Sequence, residues 1–436
     1  MRGPRPGRRA GIAPASGGPG SGRGIPREVI LRSRLVRHSE NGLRSVPLEK
    51  TLEEVERFFL TSGLEAQFHT LAHRAGRTSR AFLKSLSPSG PAGDQVFCGK
   101  GLTEGQAVAS ACLEFLERHC AGTRPEDVIL EAPYERVAGD AIDPRLFILA
   151  QAAAFDAARE IDWVWGYSLT RCRHALVPAN LVFCPYETSR SDRDIAWTDS
   201  NGLASGNNLE EAVLHGLLEV IERDAVMIGE YNRLPPAGIT PAGLPAECGP
   251  TLELLEKDGF LVDFLSVPTD LPFPLVAAFL RRDDDPADRS VAFGCHLEPA
   301  LAVSRALTEA IQVLPPSVNH DGWLRSGSPE RYAASPASAL AFNSLTTLAS
   351  PDIKANIERC VAVLKKAGSE VIVVDLSLPD VPFPAVRVLA TGLQPLLHEE
   401  DRRLSRRFFD VPVKLGFRDR PLEPAGVRIW PLCGYR

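Results

Sequence analysis

At 436 residues the chain is long enough for one large domain or two, with ample length for a substantial core. Its 49 basic and 55 acidic residues leave a net charge of −6, so composition gives no reason to expect a nucleic-acid partner. Nine cysteines is an odd number without CxxC or zinc-ligand spacing, which indicates free thiols in a reducing, cytoplasmic setting. No segment approaches a continuous membrane span.

The N-terminus is predicted to be a disordered basic tail. Residues 1–27 are rich in Arg, Gly and Pro and lack the apolar stretch of a secretion signal. Residues 28–436 are predicted to form one α/β (α+β) domain. It begins with a strand at 29–36, where apolar and polar residues alternate, and continues with a charged helix at 52–60.

A unit of one helix followed by two strands is predicted three times. The units cover 52–68 with 81–86, 252–267 with 274–280, and 353–376 with 384–389. The last two contain similar links, DLPFPLV at 270–276 and DVPFPAV at 380–386. Because proline interrupts ladder hydrogen bonding, these links mark a strand entry or a sheet edge. The alternation predicts mixed sheets packed with helices.

Residues 125–174 are predicted to be an insertion. This part of the chain holds an alanine-rich helix at 147–159, the strand WVWGYSL at 163–169, and then a buried strand at 176–183. Trp163, Trp165 and Tyr167 alternate along the strand, as in a stacking platform for bases. Packing in the core or the sheet is the favoured interpretation.

One helix pattern recurs three times. In SNGLASGNNLEEAVLHGLLEVIERD at 200–224, polar positions fall on one face of an otherwise apolar helix. A shift of 105 positions lays 101–118 on 206–223, and a shift of 90 places Glu309 and Gln312 on two of its acids. An isolated ExxE is ordinarily a solvated face. Recurrence in three apolar helices instead favours buried acids paired with cations, such as metal ions that carry phosphates.

Three long motifs resemble the signatures of the YcaO family. They are CGKGLTEGQAVASACLEFLERHC, SNGLASGNNLEEAVLHGLLEVIERD and HLEPALAVSRALTEAIQ. The resemblance runs from about Arg44 to the C-terminus. It implies a YcaO-like fold with ExxE or ExxQ helices around a nucleotide site, ATP and Mg²⁺ as cofactors, and phosphorylation of a peptide backbone amide oxygen.

The resemblance implies modification of a ribosomally made peptide or protein, giving an azoline or a thioamide. Its expected partners are that substrate and a separate leader-binding or TfuA-like sulfur-delivery protein, with the enzyme a homodimer. A nucleotide-binding accessory role, as in ribosomal protein methylthiolation, is the alternative. Many azoline-forming members end in PxPxP, whereas this chain ends RIWPLCGYR, which leaves thioamide formation more open.

Two sets of site residues follow from the helix faces and the resemblance. The predicted metal-facing acids are Glu114, Glu117, Glu211, Glu219, Glu222 and Glu309. The predicted nucleotide-binding residues are Arg44, Thr51, Ser110, Arg118, Ser200, Asn207, Arg223 and Gln312.

Several of these residues have a structural alternative. Thr51 and Asn207 stand where helix caps are expected, so each either caps, binds the nucleotide, or does both. Arg118 and Arg223 either bind phosphate or form structural ion pairs.

Three further polar residues carry weaker signals. Gln312 is expected to bind phosphate or adenine, and Lys100 is a lesser candidate for a charge partner. His215 aligns with serine and arginine in the other two helices, so it is interpreted as a polar contact and not as a proton-transfer group.

Overall fold

The computed structural model describes residues 28–37, 42–62, 66–73, 76–85, 95–124, 129–150, 155–186, 195–196, 198–284, 289–314, 332, 336, 338–396 and 403–423, and for 66–73, 76–85 and 95–96 it describes the backbone. The helices are α1 Leu48–Ser62, α2 Glu104–Ala121, α3 Tyr134–Val137, α4 Leu209–Tyr231, α5 Gly249–Lys257, α6 Pro299–Gln312, α7 Ile353–Lys366 and α8 Arg406–Lys414. The strands are β1 Ala66–His73, β2 Gly76–Ser85, β3 Gln95–Gly99, β4 Leu130–Pro133, β5 Glu160–Ser168, β6 Arg173–Pro178, β7 Leu203–Ser205, β8 Ala237–Thr240, β9 Leu261–Ser266, β10 Leu275–Arg281, β11 Arg289–Cys295, β12 Ala339–Ala341, β13 Val371–Asp375 and β14 Ala385–Ala390.

These strands form three sheets. The first is antiparallel, in the order β1-β2-β3. The second has the order β11-β10-β9-β8-β12, in which β8 and β12 pair in parallel and the other neighbours antiparallel. The third is antiparallel, in the order β4-β5-β13-β14-β7, with β6 beside β5. The predicted mixed α+β architecture is confirmed.

Each sheet contains an antiparallel triplet of strands that leads into an acid-bearing helix. β1-β2-β3 leads into α2, and β9-β10-β11 leads into α6. In the third sheet the triplet is β13-β14-β7, and β7 leads into α4 although it lies far earlier in the chain than its neighbours. The repeat is therefore completed by a pairing between distant segments.

Glycine at the end of a triplet allows the strand to lie directly on its helix. A Cβ atom on Gly99 would overlap the carbonyl oxygen of Ala107 in α2, and one on Gly294 would overlap that of Ala302 in α6. Because only glycine lacks this atom, the two residues fix how closely strand and helix pack.

The three acid-bearing helices are joined in a ring. Each helix forms a hydrogen bond with the last strand of a neighbouring triplet. For α2, the Leu113 carbonyl accepts from Ser205 Oγ of β7 at 2.8 Å, and for α4, Glu222 accepts from the Cys295 amide of β11 at 2.8 Å. For α6, Gln312 Nε2 donates to the Cys98 carbonyl of β3 at 3.0 Å. The polar faces of α2, α4 and α6 consequently turn toward a common centre.

Helix α4 runs between the second and third sheets. Leu217 packs in one core with Phe279 of β10 and Val388 of β14, and all three side chains are fully buried. Each such burial stabilises the fold by about 1.5–3 kcal/mol. Glu222 on the same helix is also buried, so the polar centre must compensate for the lost hydration of its charge.

The predicted strand at 29–36 is wrong. Within the described residues, backbone amides of this segment donate to side chains, from Arg32 to Glu210 at 2.6 Å and from Arg34 to Asp352 at 2.9 Å. The alternation of apolar and polar residues is that of an extended segment, but carboxylates occupy donors that a strand would offer to a ladder.

The predicted helix at 147–159 is also wrong in the residues that the structure describes. The Ala150 amide donates to the Ile195 carbonyl at 3.0 Å, and the Asp156 carboxylate accepts from the Ala158 amide in a turn. Residues 151–154 lie outside the described part. The helix propensity of alanine is a weak preference, and here a long-range backbone contact overrides it.

The favoured interpretation of the strand at 163–169 is confirmed. Trp163 and Tyr167 of β5 are buried, and Trp163 Nε1 donates to the Ala132 carbonyl at 2.9 Å. β5 pairs with β4, β6 and β13, so the predicted insertion supplies strands to the third sheet. The predicted tail at 1–27 and the C-terminal 424–436 lie outside the described residues.

The described helices do not meet the requirements of a membrane span. Within the ranges given above, none combines the length and the apolar composition that crossing a bilayer requires.

Candidate nucleotide-binding site

One buried carboxylate at the start of α4 holds the segment that precedes α1. Glu211 accepts hydrogen bonds from the Ser45 amide at 2.9 Å, Ser45 Oγ at 2.8 Å and Asn207 Nδ2 at 2.9 Å. Arg44 lies 3.3 Å from the same carboxylate. Burial acts to raise the pKa of Glu211, but Arg44 and these hydrogen bonds together outweigh it and lower the pKa. The ionised group thereby fixes Arg44 beside the loop before α4.

The predicted caps of α1 and α4 are wrong. Thr51 lies inside α1, which begins at Leu48, and its hydroxyl donates to Asn207 Oδ1 at 2.8 Å. The residue that caps α4 is Asn208, whose Oδ1 accepts from the Glu211 amide at 3.1 Å. Thr51 and Asn207 instead contact each other where the two helices begin.

Carboxylates of α2, α4 and α6 repel one another in two groups, Glu114 and Glu117 with Glu219, and Glu222 with Glu309. Burial raises the pKa of Glu114 and Glu117, and the charge of Glu219 raises both further. Burial likewise raises the pKa of Glu222, and Glu309 adds to that shift. The structure therefore brings together the acids that the sequence places on three separate helices.

Cations border these acids. The ion pairs join Lys100 with Glu309, Arg118 with Glu117 at 3.6 Å, and Arg223 with Glu219 at 3.5 Å. Burial acts to raise the pKa of Glu309, but Lys100 and Arg223 outweigh it and lower the pKa. The expected ion pairs of Arg118 and Arg223 are present, and Lys100 contributes more than its sequence signal indicates.

Two buried histidines at this centre have lowered pKa values, partly because cations lie near them. Burial lowers the pKa of His215 well below its usual value, and Arg305, Arg44 and Lys100 lower it further. Burial and the same two arginines lower the pKa of His296 to about 3. Both rings are therefore neutral at neutral pH, and the cations around them are available to an anion.

The donors at this centre fit phosphate oxygens. Among the described residues, the Nε atoms of Arg223 and Arg305 are buried without a hydrogen-bond partner, which is rare in folded proteins. Guanidinium groups bind phosphate oxygens with strong, charge-assisted hydrogen bonds. Such oxygens would therefore satisfy both orphaned donors.

The carboxylates fit Mg²⁺ that arrives with those phosphates. In the described part of the chain, no group of three or more His, Cys, Asp or Glu side chains could hold a metal by itself. Mg²⁺ usually takes one or two carboxylates and completes its shell with substrate phosphates and waters. The paired acids of α2 and α4 suit that arrangement.

Three further predicted nucleotide-binding residues lie on α2, before β7 and on α6. Ser110 is half-buried on α2, one turn before Glu114. Ser200 precedes β7, and its carbonyl accepts from the Leu203 amide at 3.0 Å. Gln312 is buried, and its amide nitrogen bonds to β3.

Several polar residues at this centre are missing from the predicted sets. Arg305 aligns with His215 in the repeat, so the alignment of the three helices carries a signal for it. Asn208 reaches Glu211 locally, as the cap of α4. Ser45 reaches Glu211 through a contact between distant segments. No local pattern announces such a contact.

Fold and site together define a class: mixed α+β proteins in which three acid-bearing helices meet at a buried charged centre suited to ATP and Mg²⁺. The family model described as YcaO cyclodehydratase, ATP- and Mg²⁺-binding, matches residues 98–394. The chain belongs to the YcaO family. The predictions of this family, of an enzyme, and of ATP and Mg²⁺ as cofactors are confirmed at the family level.

Solved structures show the same fold. A YcaO protein from Methanopyrus kandleri bound with AMPPCP and Mg²⁺ is 27% identical, with a TM-score of 0.70 over 85% of this chain and 98% of that one. A heterocyclase in complex with substrate and cofactor is 24% identical, with a TM-score of 0.81 over 93% of this chain. This chain spans 59% of that heterocyclase, and at 24% identity the second likeness shows the fold alone.

Curated relatives cover similar lengths. An uncharacterised protein of Methanothermobacter thermautotrophicus is 33% identical over 332 residues, which are 72% of this chain and 85% of the relative. An uncharacterised protein from the tfuA 3′ region of Rhizobium leguminosarum bv. trifolii is 28% identical, over 69% of this chain and 77% of the relative.

Proposed function

We propose that this chain uses ATP and Mg²⁺ to phosphorylate a backbone amide oxygen of a ribosomally made peptide or protein, with a thioamide or an azoline as the product. The observation that carries the proposal is the convergence of paired acids with arginines whose buried donors lack partners. Phosphoryl transfer requires chiefly positioning and charge neutralisation, and these groups supply both.

The side chains divide into three roles. The acids proposed to hold Mg²⁺ are Glu114, Glu117, Glu219, Glu222 and Glu309. The groups proposed to bind phosphate are Arg44, Lys100, Arg118, Arg223 and Arg305. Glu211 already holds Arg44 and Ser45, so we assign it the positioning of this cationic segment beside Thr51 and Asn207.

The reaction balances with one nucleophile and one ATP. A nucleophile adds to the amide carbon, and the carbonyl electrons move to oxygen. That oxygen takes the γ-phosphoryl group of ATP, whose bond to ADP breaks, and phosphate then leaves with the oxygen. A neighbouring Cys or Ser side chain of the substrate loses its proton as it adds, and the amide nitrogen loses its own proton as the C=N bond of the azoline replaces the departing phosphate. A supplied hydrosulfide instead loses its S–H proton as the C=S bond of the thioamide forms.

One comparison bears on the choice of product. The relative from the tfuA 3′ region supports thioamide formation with a separate TfuA-like protein as the source of sulfur. We therefore place the thioamide before the azoline. A separate protein that binds the leader of the precursor is the second proposed partner.

Mass spectrometry of candidate precursor peptides, incubated with the chain, ATP, Mg²⁺ and a sulfide source, tests the proposal. Exchange of one oxygen for sulfur is expected for thioamidation, and loss of water for azoline formation. ATP turnover without a change in peptide mass would overturn the proposal in favour of an accessory role. Omitting ATP, and separately sulfide, provides the matched controls.

A further inference from the structure

A cavity of about 70 Å³ lies beside Arg223, between β14 and the segment before β7. One water needs roughly 10–15 Å³ on the same measure, so there is room for several waters or one side chain. Most of its wall is apolar and comes from distant parts of the chain: Phe147, Ile148, Leu181, Val220, Leu389 and Leu393.

Three nitrogen donors at this cavity lack partners among the described residues. Arg223 Nε is already assigned to phosphate, which leaves Arg387 Nε and Asn201 Nδ2 for a further ligand. Arg387 and Asn201 are only 3% and 8% exposed, so bulk water does not satisfy them. A buried donor without a partner destabilises the fold, and a ligand bearing acceptors would remove that cost.

Other contacts hold two of these side chains in place. Arg387 donates to the Asp199 carbonyl at 2.7 Å and to its carboxylate at 2.9 Å. Asn201 Oδ1 accepts from the Leu396 amide at 3.4 Å. Because their other atoms are engaged, the free donors are positioned before any ligand binds.

The charges at the cavity favour a neutral acceptor over an anion. Arg387 is paired with Asp199 at 2.9 Å. Its guanidinium group therefore offers a hydrogen bond without an unbalanced charge. Carbonyl oxygens flanking an apolar side chain match this combination of donors and wall.

We propose that this cavity binds the substrate residue next to the modified amide, and that it selects an apolar side chain of leucine or phenylalanine size. Arg387 and Asn201 bind the neighbouring backbone carbonyl oxygens. Arg223 borders both the cavity and the acids of α4, which places this residue beside the phosphate site. The inference rests on the proposed function and adds the side-chain class of the substrate.

Binding of capped amino acids tests the cavity without knowledge of the natural substrate. The probes are N-acetyl N-methylamides of Leu, Phe, Gln and Glu, titrated by NMR into the full chain with Mg²⁺ and AMPPCP. We expect the Leu and Phe probes to bind about tenfold more tightly than the Gln and Glu probes, the scale set by burying one such side chain.

Substitutions at half-buried Ile148 change the volume of the cavity. Ile148→Trp is expected to weaken binding of the Leu probe at least about tenfold, because the larger side chain fills the cavity. Ile148→Ala enlarges the cavity and is expected to shift the binding preference toward the Phe probe. Ile30→Trp is the matched control because Ile30 is 64% exposed. Asn201→Ala removes one hydrogen-bond donor and should weaken binding of the Leu probe about fivefold to tenfold.

Each outcome decides one question. The inference would be overturned by any of three results: equal affinity for all four probes, no binding at millimolar concentration, or an affinity for the Leu probe that neither Ile148 variant changes. Calorimetric titration with AMPPCP and Mg²⁺ separates it from the proposed function. If wild type fails to bind nucleotide, the proposed function fails. If nucleotide binds but binding of the probes does not depend on the residues of the cavity, only the inference fails.

Discussion

At the scale of single residues, the charged centre places like charges side by side. Glu222 accepts from the Cys295 amide at 2.8 Å, and burial together with Glu309 raises its pKa. Glu309 has a lowered pKa because Lys100 outweighs the effect of burial. Of the two carboxyl groups, Glu222 is therefore the one that holds a proton more readily. A divalent cation would replace that proton and release the repulsion.

Glu222→Gln should abolish nucleotide-dependent turnover while the fold is retained. The amide keeps the shape and can still accept from the Cys295 amide, but it loses the charge that Mg²⁺ requires. We expect ATP turnover to fall on the order of 100-fold or more, the scale of losing one preorganised electrostatic contact. Coupled assays of ADP release measure the rate, and circular dichroism checks the fold.

The control for this variant is Glu253→Gln, which makes the same change at an exposed position of α5. Its turnover should equal that of wild type. Undiminished turnover in Glu222→Gln would remove Glu222 from the proposed metal site.

At the scale of elements, the C-terminal helix α8 is fastened to α4 directly after the acids of the site. Arg407 of α8 donates to Asp224 at 2.8 Å and to Asp270 at 2.7 Å. Asp224 follows Arg223 in the chain, and its side chain is fully buried. The contact therefore helps to hold the part of α4 that carries Glu222 and Arg223.

Arg407→Met should destabilise the fold by about 3 kcal/mol, because removing one partner of a buried ion pair leaves an uncompensated charge. The urea-unfolding midpoint should fall accordingly. Arg406→Met is the neighbouring control, since Arg406 is 92% exposed and pairs with Asp410 on the surface. Equal midpoints for the two variants would show that the contact contributes little.

The sequence predicts those elements whose signal is local. The helix and strand units at α5-β9-β10 and α7-β13-β14 follow from periodicity, and the acids of α2, α4 and α6 from recurrence. The pairing of β7 with β14 escapes such reasoning because it joins distant segments. Arg387 and Ser45 reach their places through that kind of contact, so the cavity and the Glu211 anchor become visible only in three dimensions.

At the scale of the whole molecule, the fold carries an electrostatic cost that its ligands should relieve. Burial raises the pKa of Glu117 well above its usual value, and Glu219 and Glu114 add to the shift. A raised carboxyl pKa means that stability falls as pH rises through and above the usual value. At neutral pH this carboxyl group therefore lowers the stability of the ligand-free fold.

Glu117→Gln should raise the melting temperature of the ligand-free protein at neutral pH and reduce its further rise with Mg²⁺ and AMPPCP. The amide removes the buried charge, but it also removes a proposed metal ligand, and ligand binding stabilises in proportion to affinity. Differential scanning fluorimetry measures both shifts, with Glu253→Gln as the control. An unchanged ligand-induced shift would show that Glu117 does not hold the metal.

Acid should destabilise the molecule through its buried histidines. Burial, Arg305 and Arg44 lower the pKa of His296 to about 3, whereas an unfolded histidine titrates near pH 6.5. Between these values the unfolded state binds the extra proton, so stability rises with pH. From about pH 6.5 down to about pH 5, His296 alone should cost about 2 kcal/mol. His296→Gln should flatten this part of the stability profile in urea-unfolding experiments, since glutamine does not titrate. An equally steep profile in the variant would assign the acid sensitivity to other groups. His215, the other buried histidine with a lowered pKa, would then be the next residue to substitute.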